Sequence, residues 1–79
     1  MDTGKLVKMA NDIGRFFEAD SDRAAALEGI ANHLSKFWEP RMRRELLGYV
    51  EQTGGTELRP LVLEAINANR ARLTPKNAP

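Results

Sequence analysis

The sequence predicts an all-α fold, a small bundle of four short amphipathic helices with a helix-breaking proline between helices two and three. Three observations carry this reading. Apolar residues recur at i, i+3/i+4 spacing through most of the chain, as one buried helix face requires. The periodic runs are bounded by Asp, Ser, Pro and Gly residues of the kind that start and stop helices. No stretch reads as a credible strand.

The first helix is expected from about Gly4 to Glu18, with Asp2 or Thr3 as its cap. Leu6, Met9, Ala10, Ile13 and Phe17 form its inner face, and Val7 falls outside that stripe as a candidate exposed contact. Ser21 or Asp22 caps the second helix, expected over Arg23 to Trp38. Its apolar arc is Ala26, Leu27, Ile30, Ala31, Leu34, Phe37 and Trp38. The short link before it predicts an antiparallel hairpin of helices one and two.

Pro40 ends the second helix, because its ring disfavours helical geometry at Glu39 and it lacks an amide hydrogen. The same residue suits the first position of a third helix, expected to run to about Gln52. Gly54-Gly55 supplies a left-handed stop. Pro60 opens the fourth helix, Leu58 is placed to staple onto Leu63, and Val62, Ala65, Ile66 and Leu73 face inward. Residues 1–73 thus read as a single helical domain and 74–79 as a polar, disordered tail. Gly14 and Gly29 lie inside helices at a cost of about 1 kcal/mol each against alanine. Close helix crossing, a docked partner and simple tolerance all account for them.

A chain of 79 residues holds one domain at most. Its core is marginal, since an ordering entropy of about 1.5 kcal/mol per residue nearly cancels the return from apolar burial. Small domains without a staple often gain stability from a partner. The absence of cysteine rules out a disulfide framework or a thiolate metal site and fits a reducing compartment. The N-terminus has no apolar signal region, and no run approaches the roughly 18 apolar residues of a membrane span. A soluble cytoplasmic protein with no membrane partner is expected. Twelve basic residues against eleven acidic ones, net +1, argue against a nucleic-acid-binding domain, which is usually strongly basic.

Charge is nevertheless uneven, because Lys36 to Arg44 holds four basic residues against Glu39 alone. This segment, Phe37-Trp38-Glu39-Pro40-Arg41-Met42-Arg43-Arg44, also carries the only tryptophan. Trp and Arg are enriched at interface hot spots, and Arg grips carboxylates and phosphates through its planar fork. On a helical wheel Arg41 and Arg44 lie on the solvent side of the third helix, three residues apart and near its N-terminus. Arg43 lies within the apolar arc and must find an acceptor for its charged end, either an internal acidic side chain or a partner or anionic ligand. Trp38 continues the buried face of the second helix. The candidate partner- or anion-binding set is Trp38, Arg41, Arg43 and Arg44.

Other chemistry finds no support in the residue pattern. His33 is the lone histidine, without a cluster at metal-ligand spacing. Glu18, Asp20 and Asp22 lack the glycine and glutamate of a calcium loop. Ser21 and Ser35 have no positioned base, and Gly54-Gly55 lacks the lysine and hydroxyl of a phosphate-binding loop. No catalytic or metal-binding residue is assigned.

The chain resembles the small delta subunit of soluble molybdenum-containing NAD-dependent formate dehydrogenases. The resemblance begins at Lys5-Leu6-Val7-Lys8-Met9-Ala10-Asn11-Asp12-Ile13-Gly14 and continues through Phe16-Phe17-Glu18 and Ala24 to Leu34. It centres on Lys36 to Arg44 and extends through Gly54-Gly55 and Leu58-Arg59-Pro60-Leu61-Val62. It implies a non-catalytic accessory subunit of a cytoplasmic oxidoreductase complex. The family's large subunit carries molybdenum on bis-pyranopterin guanine dinucleotide together with iron–sulfur clusters, while other subunits carry FMN and bind NAD. The implied work of this chain is to bind the large subunit and support holoenzyme assembly and stability, with aid to insertion of the molybdenum cofactor. On that reading Trp38, Arg41, Arg43 and Arg44 are the docking patch. Two other readings remain open from the residues, a self-associating scaffold using Val7 or the flanks of helix four, and a small nucleic-acid- or nucleotide-binding module using the basic turn.

Overall fold

The computed structural model describes residues 2–76 and resolves them into α1 (Thr3–Phe17), α2 (Arg23–Phe37), α3 (Pro40–Thr53), α4 (Pro60–Ala68) and α5 (Arg70–Leu73). No strand occurs among the described residues. Punctuation in the sequence sets these bounds. The Asp2 carboxylate accepts from the Gly4 amide at 2.9 Å, and that of Asp22 accepts from the Ala25 amide at 3.2 Å. Both satisfy donors that a helix start leaves unpaired. Pro40 and Pro60 are the first residues of α3 and α4. Gly54 ends α3 in the left-handed region, φ 78°, with its N–H donating to the Val50 carbonyl at 2.8 Å.

Five helices stand where the periodicity predicts four, because the fourth breaks at Asn69. The Asn69 side-chain amide donates to the Ala65 carbonyl at 2.8 Å, the acceptor a continuing helix would use. Its backbone, at φ −128° and ψ 30°, leaves helical geometry. The chain re-enters a short turn, α5, that drives Leu73 into the core. Beyond it, the Thr74 N–H and hydroxyl both donate to the Arg70 carbonyl, at 2.9 and 2.7 Å, and Pro75 is buried. The rest of the expected tail, residues 77–79, lies outside the described residues.

α1 packs on α2 and α3, α4 packs on α1 and α2, and α5 closes against α2 and α4. Leu6, Ile30, Leu34, Val62, Ile66 and Leu73 are the largest fully buried side chains. Each is worth about 1.5–3 kcal/mol on removal from water. Polar pins fix the loops over this core. Asn11 accepts from the Arg59 amide at 2.8 Å and donates to the Glu57 carbonyl at 3.0 Å, while the Tyr49 hydroxyl accepts from the Glu57 amide at 2.9 Å. The α3–α4 link is thereby held to both helices it crosses.

The buried face of α1 is turned from the expected one. Val7 is 5% exposed, whereas Met9, placed on the inner face from periodicity, is 42% exposed. The cause is Gly14, one heptad beyond Val7: a Cβ there would collide with Cγ2 of Val62. Without that Cβ, α4 closes onto the Val7–Gly14 side of α1. Gly29 plays the same part in α2, where the ring of Phe17 occupies the space a side chain would take. Close approach therefore accounts for both glycines. Phe37 also departs from its expected place in the apolar arc and is 70% exposed. It is the last residue of α2, and its ring lies 4.9 Å from that of His33 rather than in the core.

Candidate functional site

Between α2 and α3 the chain turns through Trp38 and Glu39, both in extended conformation. Pro40 requires extended backbone at the residue before it. The Trp38 N–H still donates to the Leu34 carbonyl at 3.2 Å, and its indole is buried in the core cluster at 5% exposure. Trp38 thus anchors the corner from below and does not present a face to solvent.

Arg43, in the first turns of α3, reaches back across this corner. Its Nη1 donates to the Ser35 carbonyl at 2.8 Å and to the Trp38 carbonyl at 3.3 Å. Helix ends leave carbonyls unpaired, and a cation near a helix C-terminus also meets the negative end of its dipole. The acceptor that the wheel demands for Arg43 is therefore backbone. Among the described residues it forms no ion pair with an acidic side chain. Its Nε is buried and has no hydrogen-bond partner among the described residues.

Arg41 and Arg44 are exposed. Of the two, only Arg44 lines a cleft among the described residues. Arg44 and Arg43 line a cleft of ≈ 360 Å³ with Arg72, Lys76 and Pro75, and Arg41 does not reach it. No acidic residue lines this cleft. Arg44 also lines an adjoining cleft of ≈ 340 Å³ with Leu47, Gly48 and Thr74, at whose end Arg70 and Glu51 pair at 3.5 Å. Arg72 and Lys76 belong to this basic cluster but do not emerge from the sequence. They sit beyond the Asn69 break, and no local pattern brings them beside α3.

Several charges elsewhere are matched. Arg59 grips Glu18 through two hydrogen bonds, at 2.6 and 2.8 Å, and Arg23 pairs with Glu64. Arg72 holds Glu28 at 2.9 Å. The hydrogen bonds from Arg59 and Arg72 hold the Glu18 and Glu28 carboxyls below the usual carboxylate range, against a smaller opposing effect of desolvation. The same contacts raise the two guanidinium pKa values. In contrast Lys36, Arg41, Arg43, Arg44 and Lys76 form no ion pair among the described residues. Lys5, Lys8 and Arg15 on α1 likewise form none, but the densest run of such cations is the α2–α3 corner, Lys36 to Arg44.

Among the described residues, no group of three or more His, Cys, Asp or Glu side chains is placed to hold a metal ion. The chain has no cysteine for an iron–sulfur cluster. The residues present thus do not fit the metal groups that the resemblance assigns to the wider complex. Ser35, one of the two serines considered as nucleophiles, spends its hydroxyl on the Asn32 carbonyl at 3.2 Å. No helix among the described residues is long and apolar enough to cross a membrane.

The family model for the NADH-dependent formate dehydrogenase delta subunit FdsD matches residues 5–66, a span from α1 into α4 that includes the whole corner. No curated protein and no solved structure matches the chain.

Proposed function

The chain belongs to the NADH-dependent formate dehydrogenase delta subunit family, and from that premise we propose that it is a non-catalytic accessory subunit of the cytoplasmic enzyme. It docks on the large molybdenum-containing subunit and supports assembly and stability of the holoenzyme, aiding insertion of the molybdenum cofactor. The molybdenum bis-pyranopterin guanine dinucleotide, the iron–sulfur clusters, FMN and NAD reside on the other subunits.

One observation carries this reading: Lys36, Arg41, Arg43 and Arg44, none with an ion-pair partner among the described residues, stand together on one corner, with Arg41 and Arg44 exposed. Charge left unmatched in a free subunit suits an acidic surface on a partner, where it speeds encounter and fixes orientation. Trp38 and Arg43 build the corner from inside, and Arg41 and Arg44 make the contact.

Two other readings fare less well. Self-association through Val7 lacks a surface, because Val7 is buried, which leaves that reading only the flanks of α4. A nucleic-acid module is disfavoured by the net charge of +1. Reversing charge at Arg41 and Arg44 tests the proposal through the yield of the complex and its molybdenum content.

A further inference from the structure

The two clefts that meet at Arg44 form one groove with a divided character. One wall is α3 and the other is the run from α5 through Pro75. At the α2 end it carries Arg43, Arg44, Arg72 and Lys76 and no acidic residue. Toward the other end it is floored by Leu47 and Gly48 and closed by the Arg70–Glu51 pair. Leu73, 1% exposed, and the buried Pro75 fix the far wall to the core. A Cβ built on Gly48 meets nothing within 4 Å, so the groove is open over that residue.

We propose that this groove receives an extended segment of the partner subunit whose acidic side chains lie at the basic end and whose apolar side chains lie over Leu47 and Gly48. The inference rests on the docking reading above and names the partner's chemistry at that surface. Charge complementarity selects the occupant. Arg43 is engaged by the Ser35 and Trp38 carbonyls and Arg72 by Glu28, but Arg44 and Lys76 form no ion pair among the described residues and line this end without a lining carboxylate. The guanidinium fork of Arg44 matches a carboxylate in bidentate geometry. Continuation into an apolar floor favours a chain with both kinds of side chain over a small, wholly polar anion. Gly48 in mid-helix costs α3 stability relative to alanine, and a backbone lying close over it explains that choice.

The test uses the full chain labelled with nitrogen-15 and an acetylated, amidated hexapeptide of alternating glutamate and leucine. The peptide is expected to shift the amides of residues 43–51 and 70–76. Gly48→Trp, which fills the open floor without entering the core, and Lys76→Glu should each weaken binding about tenfold. Circular dichroism checks that the variants stay folded. Absence of amide shifts at low salt overturns the proposal, as does inorganic pyrophosphate binding at the same amides as tightly as the peptide. In co-expression with the large subunit, Gly48→Trp and Lys76→Glu probe the groove and Arg41→Glu probes the corner alone. Loss of complex with Arg41→Glu but not with the groove variants overturns the groove and leaves the docking reading standing. No loss with any of the three overturns both.

Discussion

The guanidinium of Arg43 donates to the carbonyl oxygen of Ser35 at 2.8 Å, so one side chain from α3 closes the last turn of α2. The bond turns an unfavourable feature, a cation within an apolar arc, into the clasp of the corner that carries the proposed docking residues. Removing it should be costly. Arg43→Met keeps much of the apolar stem but leaves the Ser35 and Trp38 carbonyls without this donor, a loss of about 1–3 kcal/mol. Thermal unfolding should show a lower Tm for Arg43→Met and a smaller decrease for Arg43→Lys, which retains the charge but not the fork. A Tm equal to that of the unmodified chain would show that the clasp contributes nothing.

Gly14 and Val62 define the closest approach of α1 and α4. Gly14→Ala raises helix propensity yet drives a methyl group into Val62, and overpacking of this kind costs about 1–3 kcal/mol. Denaturant unfolding should find Gly14→Ala destabilised and Gly14→Ala/Val62→Ala less so than the two single changes summed. Gly48→Ala, with open space around its Cβ, should move the other way and stabilise by about 0.5–1 kcal/mol.

Acid should weaken the fold through Glu18 and Glu28. Hydrogen bonds from Arg59 and Arg72 lower the folded-state pKa of these carboxyls. The unfolded chain therefore takes up protons first as pH falls. The stabilisation is fully present above the unfolded carboxylate pKa, about 4.3, and is lost as pH drops through the lower folded values. A Tm profile from pH 7 to 2 should decline below about pH 5, and Glu18→Gln/Glu28→Gln should flatten that decline. Both groups are solvent-exposed, so added salt should reduce the effect as well.

Helix starts were legible because they depend on neighbours in sequence: Asp2 and Asp22 cap within three residues, and Pro40 and Pro60 open their helices wherever the chain then goes. The face of α1 was not legible. Its rotation follows from Gly14 meeting Val62 on another helix, and periodicity within α1 favours Met9 over Val7. Nor was the Asn69 break, since an asparagine in an apolar-periodic run is tolerated unless its side chain takes the Ala65 carbonyl. At the site, Arg43 stood out as the charge inside an apolar arc, but a wheel does not reveal that its acceptors are main-chain carbonyls of α2. Arg72 and Lys76 reach Arg44 only after the chain turns at Asn69, a tertiary event with no local signature.

The central claim, docking on the large molybdenum subunit through the α2–α3 corner, is tested most directly by co-expressing the two chains with Arg41→Glu/Arg44→Glu in this one. The account predicts at least about a tenfold loss of co-purified large subunit. Molybdenum per large subunit should also fall, while the isolated variant keeps its Tm. Unchanged complex yield together with unchanged molybdenum content would contradict it.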